Sequence, residues 1–240
     1  MAKIYEALEN AQIEVLNKSS EISLPRSDVI PSPLVTEEGI YVYQNLATLI
    51  RDATKKVIQF IGSRGGEGTS TVVREFARVS ARKFDKKVLL LDADQYHPSQ
   101  HLFFDIQSKC GWQEVLRNQQ PIDKALYQIG DTRLSVSPSS QYSASNPENL
   151  NSLLIDIFWK KLRQRFDLIL VDSPPATTSP DGLAMCSKVD GIILVVEAEK
   201  TRWPVAENTK NRILNSGGKI LGIVLNKRRY YIPEWVYKRL

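Results

Sequence analysis

Long, mostly apolar runs recur along this chain. Three of them start at Val57, Val88 and Leu168, and two more occupy GIILVV and KILGIVL further on. Runs of this kind are typical of strands buried on both faces of a parallel sheet. Helical spacing of apolar residues separates them, most clearly at Leu150, Leu153, Leu154, Ile157, Phe158 and Leu162. The alternation predicts an α/β fold in which helices cover both faces of a mostly parallel sheet, in three layers.

The sequence divides into four predicted segments. Residues 1–17 carry apolar residues at helical spacing and predict an amphipathic helix, which either docks on the protein's own surface or contacts a partner or a membrane. Residues 18–36 are rich in proline and serine and predict a tether. Residues 37–226 contain all the apolar runs and form the main predicted domain, which opens with a helix near residues 37–54. Residues 227–240 form a basic tail that contains tyrosines.

The charge and the cysteines narrow the functional classes. The net charge is +5, and the basic tail carries most of it, so the body of the protein is nearly neutral and a nucleic-acid partner is not expected. Cys110 and Cys186 have no spacing partners, which argues against a disulfide or zinc framework and fits a reducing cytoplasm. No apolar run approaches the roughly 18 residues of a membrane span, so we expect any membrane association to be peripheral or through a partner.

A glycine-rich loop follows the first apolar run. Gly65, Gly66 and Gly68 allow a sharp turn that points backbone N–H groups into one concavity at the start of the next helix, which is the arrangement of a phosphate-binding site. In the complete P-loop pattern, GxxxxGK followed by Ser or Thr, the lysine reaches the phosphates and the hydroxyl binds Mg²⁺. Here Thr69 stands at the lysine position and Ser70 at the metal position. The main domain is therefore predicted to be a P-loop nucleotide-binding domain that lacks one charge.

Carboxylates occur where the apolar runs end. Asp92 and Asp94 follow the second run, Asp172 ends the third, and Asn226 ends the last. Each of them alone is most simply a loop or helix-capping residue. Because ligands of such sheets bind beyond the carboxyl ends of the strands, the three carboxylates are predicted to be catalytic, with Asp92 and Asp172 near a Mg²⁺ held by Ser70.

The chain resembles the bacterial tyrosine kinases (BY-kinases), cytoplasmic P-loop proteins of capsule and exopolysaccharide export. GGEGTST is similar to their Walker A motif, VLLLDADQYHP to Walker A′ and LILVDSPP to Walker B. The resemblance implies that the cofactors are ATP or ADP with Mg²⁺. It also implies that the protein binds a membrane-embedded copolymerase or chain-length protein and is held by this partner at the inner face of the membrane. It also implies a homo-oligomer. The implied nucleotide-binding residues are Arg64, Gly65, Gly66, Glu67, Gly68, Thr69, Ser70, Thr71 and Asn226.

Several positions depart from the pattern of that family. Thr69 replaces the Walker A lysine, Tyr96 replaces an arginine, and the Glu-x-x-Arg-x-x-Arg assembly motif reads Tyr41, Gln44 and Ala47. We therefore expect the protein to retain nucleotide binding while its catalytic activity is weakened or lost. Arg64 either compensates for the missing lysine or is a solvated loop residue.

The sequence supports three hypotheses about the function. The first is a degenerate kinase that binds nucleotide and regulates its partner, the second an active tyrosine autokinase, and a more distant third a partitioning-type ATPase with a deviant Walker A motif. In the family the phosphate acceptors are C-terminal tyrosines, so the candidates here are Tyr230, Tyr231 and Tyr237. The same tail could instead pack on the body or contact a membrane.

Overall fold

Strands and helices alternate along the described part of the chain. The structure, a computed structural model, describes residues 44–45, 48, 57–83, 85–108, 110–140 and 152–228, with the backbone alone at 152 and 153. All of these residues belong to the unit Pro33–Leu240. The predicted N-terminal helix, the tether and the three tail tyrosines lie outside the described residues. Of the predicted helix near residues 37–54, Gln44, Asn45 and Thr48 are described, and they are helical.

The described elements have the following bounds. The strands are β1 (Val57–Gly62), β2 (Val88–Asp92), β3 (Tyr127–Gln128), β4 (Leu134–Ser137), β5 (Leu168–Asp172), β6 (Gly191–Glu197) and β7 (Ile220–Asn226). The α-helices are α1 (Thr69–Lys83), α2 (Gln100–Phe103), α3 (Trp112–Arg117), α4 (Ser152–Arg165), α5 (Asp181–Ala184) and α6 (Trp203–Asn215), and the 3₁₀ helices are Ile122–Ala125 and Cys186–Lys188. No helix in the described ranges has the length and apolar character needed to cross a membrane.

The strands form one sheet in the order β3-β4-β2-β5-β1-β6-β7. All neighbouring pairs are parallel except the short antiparallel pair of β3 with β4. Every residue of β1, β2 and β5 is buried, which explains why their sequences are almost continuously apolar. The predicted fold class, a mostly parallel sheet covered by helices, is confirmed.

Successive residues of the central strands point into two different layers. Leu90 of β2 packs in one core cluster with Phe76 of α1, whereas its neighbours Leu89 and Leu91 belong to a second cluster with Leu162 of α4. A smaller cluster joins β6 to Ile213 of α6. Because residues alternate between the two faces of a strand, these clusters place helices on both faces of the sheet.

The apolar stripe of α4 differs from the predicted one. Phe158 and Leu162 are buried as predicted, but Ile157 is 42% exposed and Trp159 is 4% exposed. The Trp159 ring stands edge-on to Phe158 with ring centroids 5.5 Å apart. Trp159, which is not part of the predicted apolar stripe, therefore belongs to the buried face of α4, whereas Ile157 of that stripe is exposed.

The carboxyl ends of the parallel strands share one edge of the sheet. The glycine-rich loop leaves β1 at this edge, between the ends of β5 and β6. Asp92 and Asp172 are register partners at the ends of β2 and β5, so their Cα atoms are direct neighbours across the sheet. Two residues that are far apart in sequence are thereby brought beside the loop.

Candidate nucleotide and magnesium site

The glycine-rich loop has the backbone conformation that its glycines permit. Gly66 and Gly68 have φ values of +85° and +87°, in the left-handed region. A Cβ atom at Gly68 would lie 2.3 Å from Nδ2 of Asn226, so a side chain at that position would also meet a steric clash. Gly65 has open space around its Cβ position. The turn therefore depends on Gly66 and Gly68 more than on Gly65.

The loop presents unengaged N–H groups at the start of a long helix. Helix α1 has 15 residues and begins at Thr69, and its first recorded helical bond runs from the Val72 N–H to the Gly68 carbonyl. No acceptor in the described ranges binds the N–H groups of Gly66, Gly68, Thr69, Ser70 or Thr71. Free N–H groups at a helix N-terminus attract anions, and phosphate fits this arrangement.

Glu67 holds the loop from within. Its side chain is 2% exposed, and its Oε2 accepts hydrogen bonds from the N–H groups of Ser63 at 2.5 Å and Arg64 at 3.0 Å. Its Oε1 accepts a hydrogen bond from the Thr201 hydroxyl in the loop that follows β6. The sequence predicts Glu67 as a cofactor-binding residue, but these bonds direct its carboxylate into the protein. Its observed contacts stabilise the shape of the loop.

Two residues at the end of β7 bind the outer side of the loop. Asn226 donates from Nδ2 to the Glu67 carbonyl at 2.8 Å, and Lys227 donates from Nζ to the Gly66 carbonyl at 2.5 Å. Lys227 Nζ also lies 3.6 Å from Oε1 of Glu197. The structure places Asn226 beside the loop as predicted. Lys227 was missed, although its position next to Asn226 at a strand end was an available signal.

The predicted metal residues come together beside Ser70. The Ser70 hydroxyl donates to Oδ1 of Asp172 at 3.2 Å. Asp92 accepts hydrogen bonds at Oδ2 from the N–H groups of Ser99 and Gln100, each at 3.1 Å. Both carboxylates have no exposed surface. The three residues predicted to surround Mg²⁺ thus lie together, with two buried carboxylates beside the half-buried Ser70.

Asp94 lies in the same region, but its carboxylate faces the loop that follows β2. Its Oδ1 accepts hydrogen bonds from the N–H groups of Tyr96 at 3.0 Å and His97 at 2.9 Å. The Asp94 N–H in turn donates to Oδ1 of Asp92 at 3.1 Å. In this structure Asp94 stabilises a turn, and its contact with the metal group runs through Asp92.

The two strand-end carboxylates have perturbed pKa values. Burial raises the pKa of Asp172 to about 6. Burial, and then the charge of Asp172, raise the pKa of Asp92 well above its ordinary value. No lysine or arginine in the described ranges forms an ion pair with Asp92, Asp94 or Asp172. Two buried carboxylates beside a hydroxyl are oxygen donors that suit Mg²⁺.

Arg64 and Thr69 occupy positions that the sequence marks as departures. Arg64 is exposed, and its recorded hydrogen bond comes from its backbone N–H. Thr69 is the first residue of α1, and its hydroxyl lies 2.7 Å from the Cβ position of Gly62, behind the loop. Its short side chain leaves the concavity without the ammonium group of the complete motif.

Gln100 is a further residue that the sequence did not single out. It has no exposed surface, and its Nε2 donates to Oδ2 of Asp172 at 2.7 Å and to the Ser70 carbonyl at 3.1 Å. No group of three or more His, Cys, Asp or Glu residues in the described ranges is arranged to hold a metal. A P-loop holds Mg²⁺ differently, with one hydroxyl, a carboxylate and phosphate oxygens.

This fold, with a glycine-rich loop between β1 and α1 and carboxylates at the neighbouring strand ends, is that of a P-loop NTPase. The chain belongs to the ParA family: the family model described as NUBPL iron-transfer P-loop NTPase matches residues 53–237.

The curated relatives are bacterial tyrosine kinases. Tyrosine-protein kinase YwqD of Bacillus subtilis is 26% identical over 83% of this chain and 84% of its own length. Tyrosine-protein kinase CpsD of Streptococcus agalactiae is 28% identical over 85% of this chain and 90% of its own. The tyrosine-protein kinase ptk of Acinetobacter johnsonii, at 26% identity, matches 91% of this chain but only 30% of its own length. The predicted resemblance to BY-kinases is confirmed.

Solved structures agree with this assignment. The VpsO kinase domain superposes with a TM-score of 0.72 at 26% identity, covering 82% of this chain and 96% of that one. The septum site-determining protein MinD of Pyrococcus horikoshii, solved as a complex with Mg-ADP, has a TM-score of 0.60 at 20% identity and covers 77% of this chain and 76% of its own. The second likeness concerns the fold alone.

Proposed function

We propose that this protein is a BY-kinase-like regulator of exopolysaccharide or capsule production that binds Mg-ATP or Mg-ADP and acts on a membrane-embedded copolymerase partner. Its kinase activity is weakened or lost. The observation that carries the proposal is the set of N–H groups of Gly66 and of Gly68 to Thr71, which have no acceptor in the described ranges and lie directly beside the hydrogen-bonded pair of Ser70 and Asp172.

The nucleotide part of the proposal follows from the donors of the loop. The free N–H groups and the positive end of α1 bind the phosphates. Ser70 supplies the hydroxyl that would bind Mg²⁺ directly, and Asp92 and Asp172 would hold the water molecules around the ion. The bound ion would neutralise charge on the phosphates. The bonds from Glu67, Asn226 and Lys227 keep the loop in its binding shape without the nucleotide.

Weak catalysis follows from Thr69. Loss of one preorganised charged donor to a transferring phosphoryl group costs about 3 kcal/mol, or about a hundredfold in rate. Ground-state binding depends on the N–H groups and on Mg²⁺ as well, so it tolerates this loss better than phosphoryl transfer does. A regulator that changes with nucleotide occupancy requires only the binding step.

The partner part of the proposal rests on the family resemblance. In the Acinetobacter johnsonii relative the region that matches this chain is less than a third of the protein. BY-kinases of capsule export work with a membrane-embedded chain-length protein. We infer that this domain binds such a protein at the inner face of the membrane.

Calorimetry on the Thr69→Lys variant tests the nucleotide part. We expect the wild type to bind Mg-ADP weakly and Thr69→Lys to bind it about tenfold more tightly, because a hydrogen bond to a charged group contributes about 1.5 to 3 kcal/mol. Thr71→Lys is the matched control, since it adds the same charge two residues along the helix. If millimolar Mg-ATP gives no heat and no thermal shift, and Thr69→Lys changes neither, the binding proposal is wrong.

Intact mass after incubation with Mg-ATP separates the regulator from an active autokinase. The regulator keeps its unmodified mass, with and without the copolymerase partner. An autokinase gains phosphate, which peptide mapping would locate on Tyr230, Tyr231 or Tyr237. A mass increase that the triple Tyr→Phe variant abolishes would replace the proposed regulator with the kinase.

A further inference from the structure

A buried glutamine lies inside the group of predicted metal residues. Its contacts reach all three of them: the Gln100 N–H donates to Asp92, and Nε2 donates to the Asp172 carboxylate and to the Ser70 carbonyl. We propose that Gln100 is a further residue of the magnesium site. Through Nε2 it positions Asp172 beside Ser70, and through Oε1 it accepts a hydrogen bond from a water bound to the ion. This inference rests on the proposed nucleotide function.

The orientation of the Gln100 amide is fixed by its neighbours. Both atoms that face its nitrogen, Oδ2 of the ionised Asp172 carboxylate and the carbonyl oxygen of Ser70, accept hydrogen bonds and have no proton to donate. A flipped amide would set its oxygen against these two oxygens. The amide oxygen Oε1 must therefore point to the other side.

Oε1 is a buried acceptor without a partner in the part of the chain that the structure describes. It has no hydrogen-bond donor among the described residues, and neither does the buried hydroxyl oxygen of the adjacent Ser99 find a partner there. An unsatisfied buried polar atom costs about 1 to 3 kcal/mol, so such atoms usually meet a donor from water or a ligand. Mg²⁺ keeps several of its waters when it binds to proteins, and each of them is a donor. A water on an ion held by Ser70 is the donor that we assign to Oε1.

Gln113 provides a matched comparison within the same chain. It is also buried, at 5% exposed, but both ends of its amide are satisfied. Its Nε2 donates to the Ser139 hydroxyl at 2.8 Å, and its Oε1 accepts from the Ser140 N–H at 2.9 Å. Gln113 thus has the structural role of a buried glutamine without the open oxygen. A substitution there measures the cost of losing such a role alone.

The test compares ADP binding with and without the ion. Calorimetric titration of ADP is carried out in MgCl₂ and in EDTA on the wild type, Gln100→Met and Gln113→Met. We expect the factor by which MgCl₂ tightens ADP binding to fall about tenfold in Gln100→Met, because residues that orient metal ligands contribute about this much to metal affinity. The factor should stay unchanged in Gln113→Met. Equal losses in MgCl₂ and EDTA would overturn the inference, because they would mean that Gln100 only supports the fold.

The wild-type result separates this inference from the proposed function. Wild type that fails to bind ADP under both conditions overturns both. If the wild type binds ADP and MgCl₂ tightens this binding by the same factor in the wild type and in Gln100→Met, the inference is overturned and the proposed function stays in place.

A second measurement needs no variant. With Mn²⁺ in place of Mg²⁺ and ADP present, the side-chain amide NMR signals of Gln100 in the wild type should broaden strongly, and more than those of Gln113. Sharp Gln100 signals under saturating Mn²⁺ and ADP would overturn the assignment even if Gln100→Met were too unstable to purify.

Discussion

At the scale of single residues, Lys227 binds the glycine-rich loop although it lies outside the loop motif. Its ammonium group is bound to the Gly66 carbonyl, and its φ of +58° lies in the left-handed region directly after β7. The side chain is 46% exposed, so the bond forms at the surface. Lys227 therefore stabilises one conformation of the loop, and its contribution should appear in the affinity for any ligand that this conformation binds.

Lys227→Met should weaken ADP binding about fivefold, and equally in MgCl₂ and EDTA, because one hydrogen bond at a partly exposed site contributes about 1 kcal/mol. Lys200→Met is the control: Lys200 lies 3.2 Å from the same Glu197 carboxylate, at Oε2, but has no recorded bond to the loop. Calorimetry on the two variants gives the comparison. Equal affinities for Lys227→Met and the wild type would show that the bond to Gly66 does not hold the binding conformation.

Asp172 makes the stability of the metal-free protein dependent on pH. Burial raises its pKa to about 6, above the ordinary value of 3.8, so the folded protein favours the protonated acid. The stabilisation is complete below about pH 4 and is lost as the pH rises through about 6. At neutral pH the buried ionised carboxylate then costs up to about 3 kcal/mol.

Asp172→Asn should therefore unfold at a higher temperature than the wild type at pH 8 without Mg²⁺, and the difference should disappear toward pH 4. The Asn side chain can accept from Gln100 at its oxygen and donate to the Ser70 hydroxyl, so it fits the same place. Thermal unfolding of both proteins from pH 4 to pH 8 measures the effect. Parallel pH profiles would mean that Asp172 does not carry this cost.

At the scale of elements, the sequence predicted the strands and the loop because their signals are local. Buried strands read as apolar runs, and Gly66 and Gly68 are required by the backbone itself. Asp92 and Asp172 were found for the same reason, since a carboxylate at the end of an apolar run is visible without the fold. Only their pairing in register needed the sheet.

The contacts of Gln100 and Lys227 could not be predicted because they join distant elements, although the position of Lys227 beside Asn226 was visible in the sequence. Gln100 contacts Asp172, and Lys227 contacts Gly66, only after the chain has folded. Glu67 appeared to be a ligand-binding residue because it lies within the loop motif, but the N–H groups of its own loop take its carboxylate. The pattern of apolar residues also did not show that Trp159 is buried in α4 while Ile157 is exposed.

At the scale of the whole molecule, the main difference from the BY-kinases is that this chain lacks the charged residues of their assembly motif. Gln44 stands at one of its charged positions and is exposed, and Tyr41 and Ala47 lie outside the described residues. Neutral side chains at these positions cannot form the charge pairs of the assembly motif, which the resemblance to BY-kinases links to a closed ring of subunits. We expect this protein not to form that ring alone.

Light scattering at micromolar concentration, without a partner, should give the mass of a monomer or a small oligomer. The variant with Tyr41→Glu, Gln44→Arg and Ala47→Arg restores the motif and should shift the mass upward. A stable octamer of the unchanged protein would contradict this prediction, because it would require a contact that does not use the charged motif.

The position of β5 in the sheet affects the order in which this protein folds while it is being synthesised. In the sheet, β5 lies between β1 and β2, although both of these strands come much earlier in the chain. Ile169 of β5 is the register partner of Val57 of β1. Parallel contacts between such distant segments form slowly, since a long stretch of chain must be ordered before they contribute. On the ribosome, β1 and β2 therefore emerge without the neighbour that separates them. The carboxylate of Asp172 reaches Ser70 only when β5 inserts between β1 and β2, so a nascent chain cannot assemble the candidate magnesium site before β5 has been made.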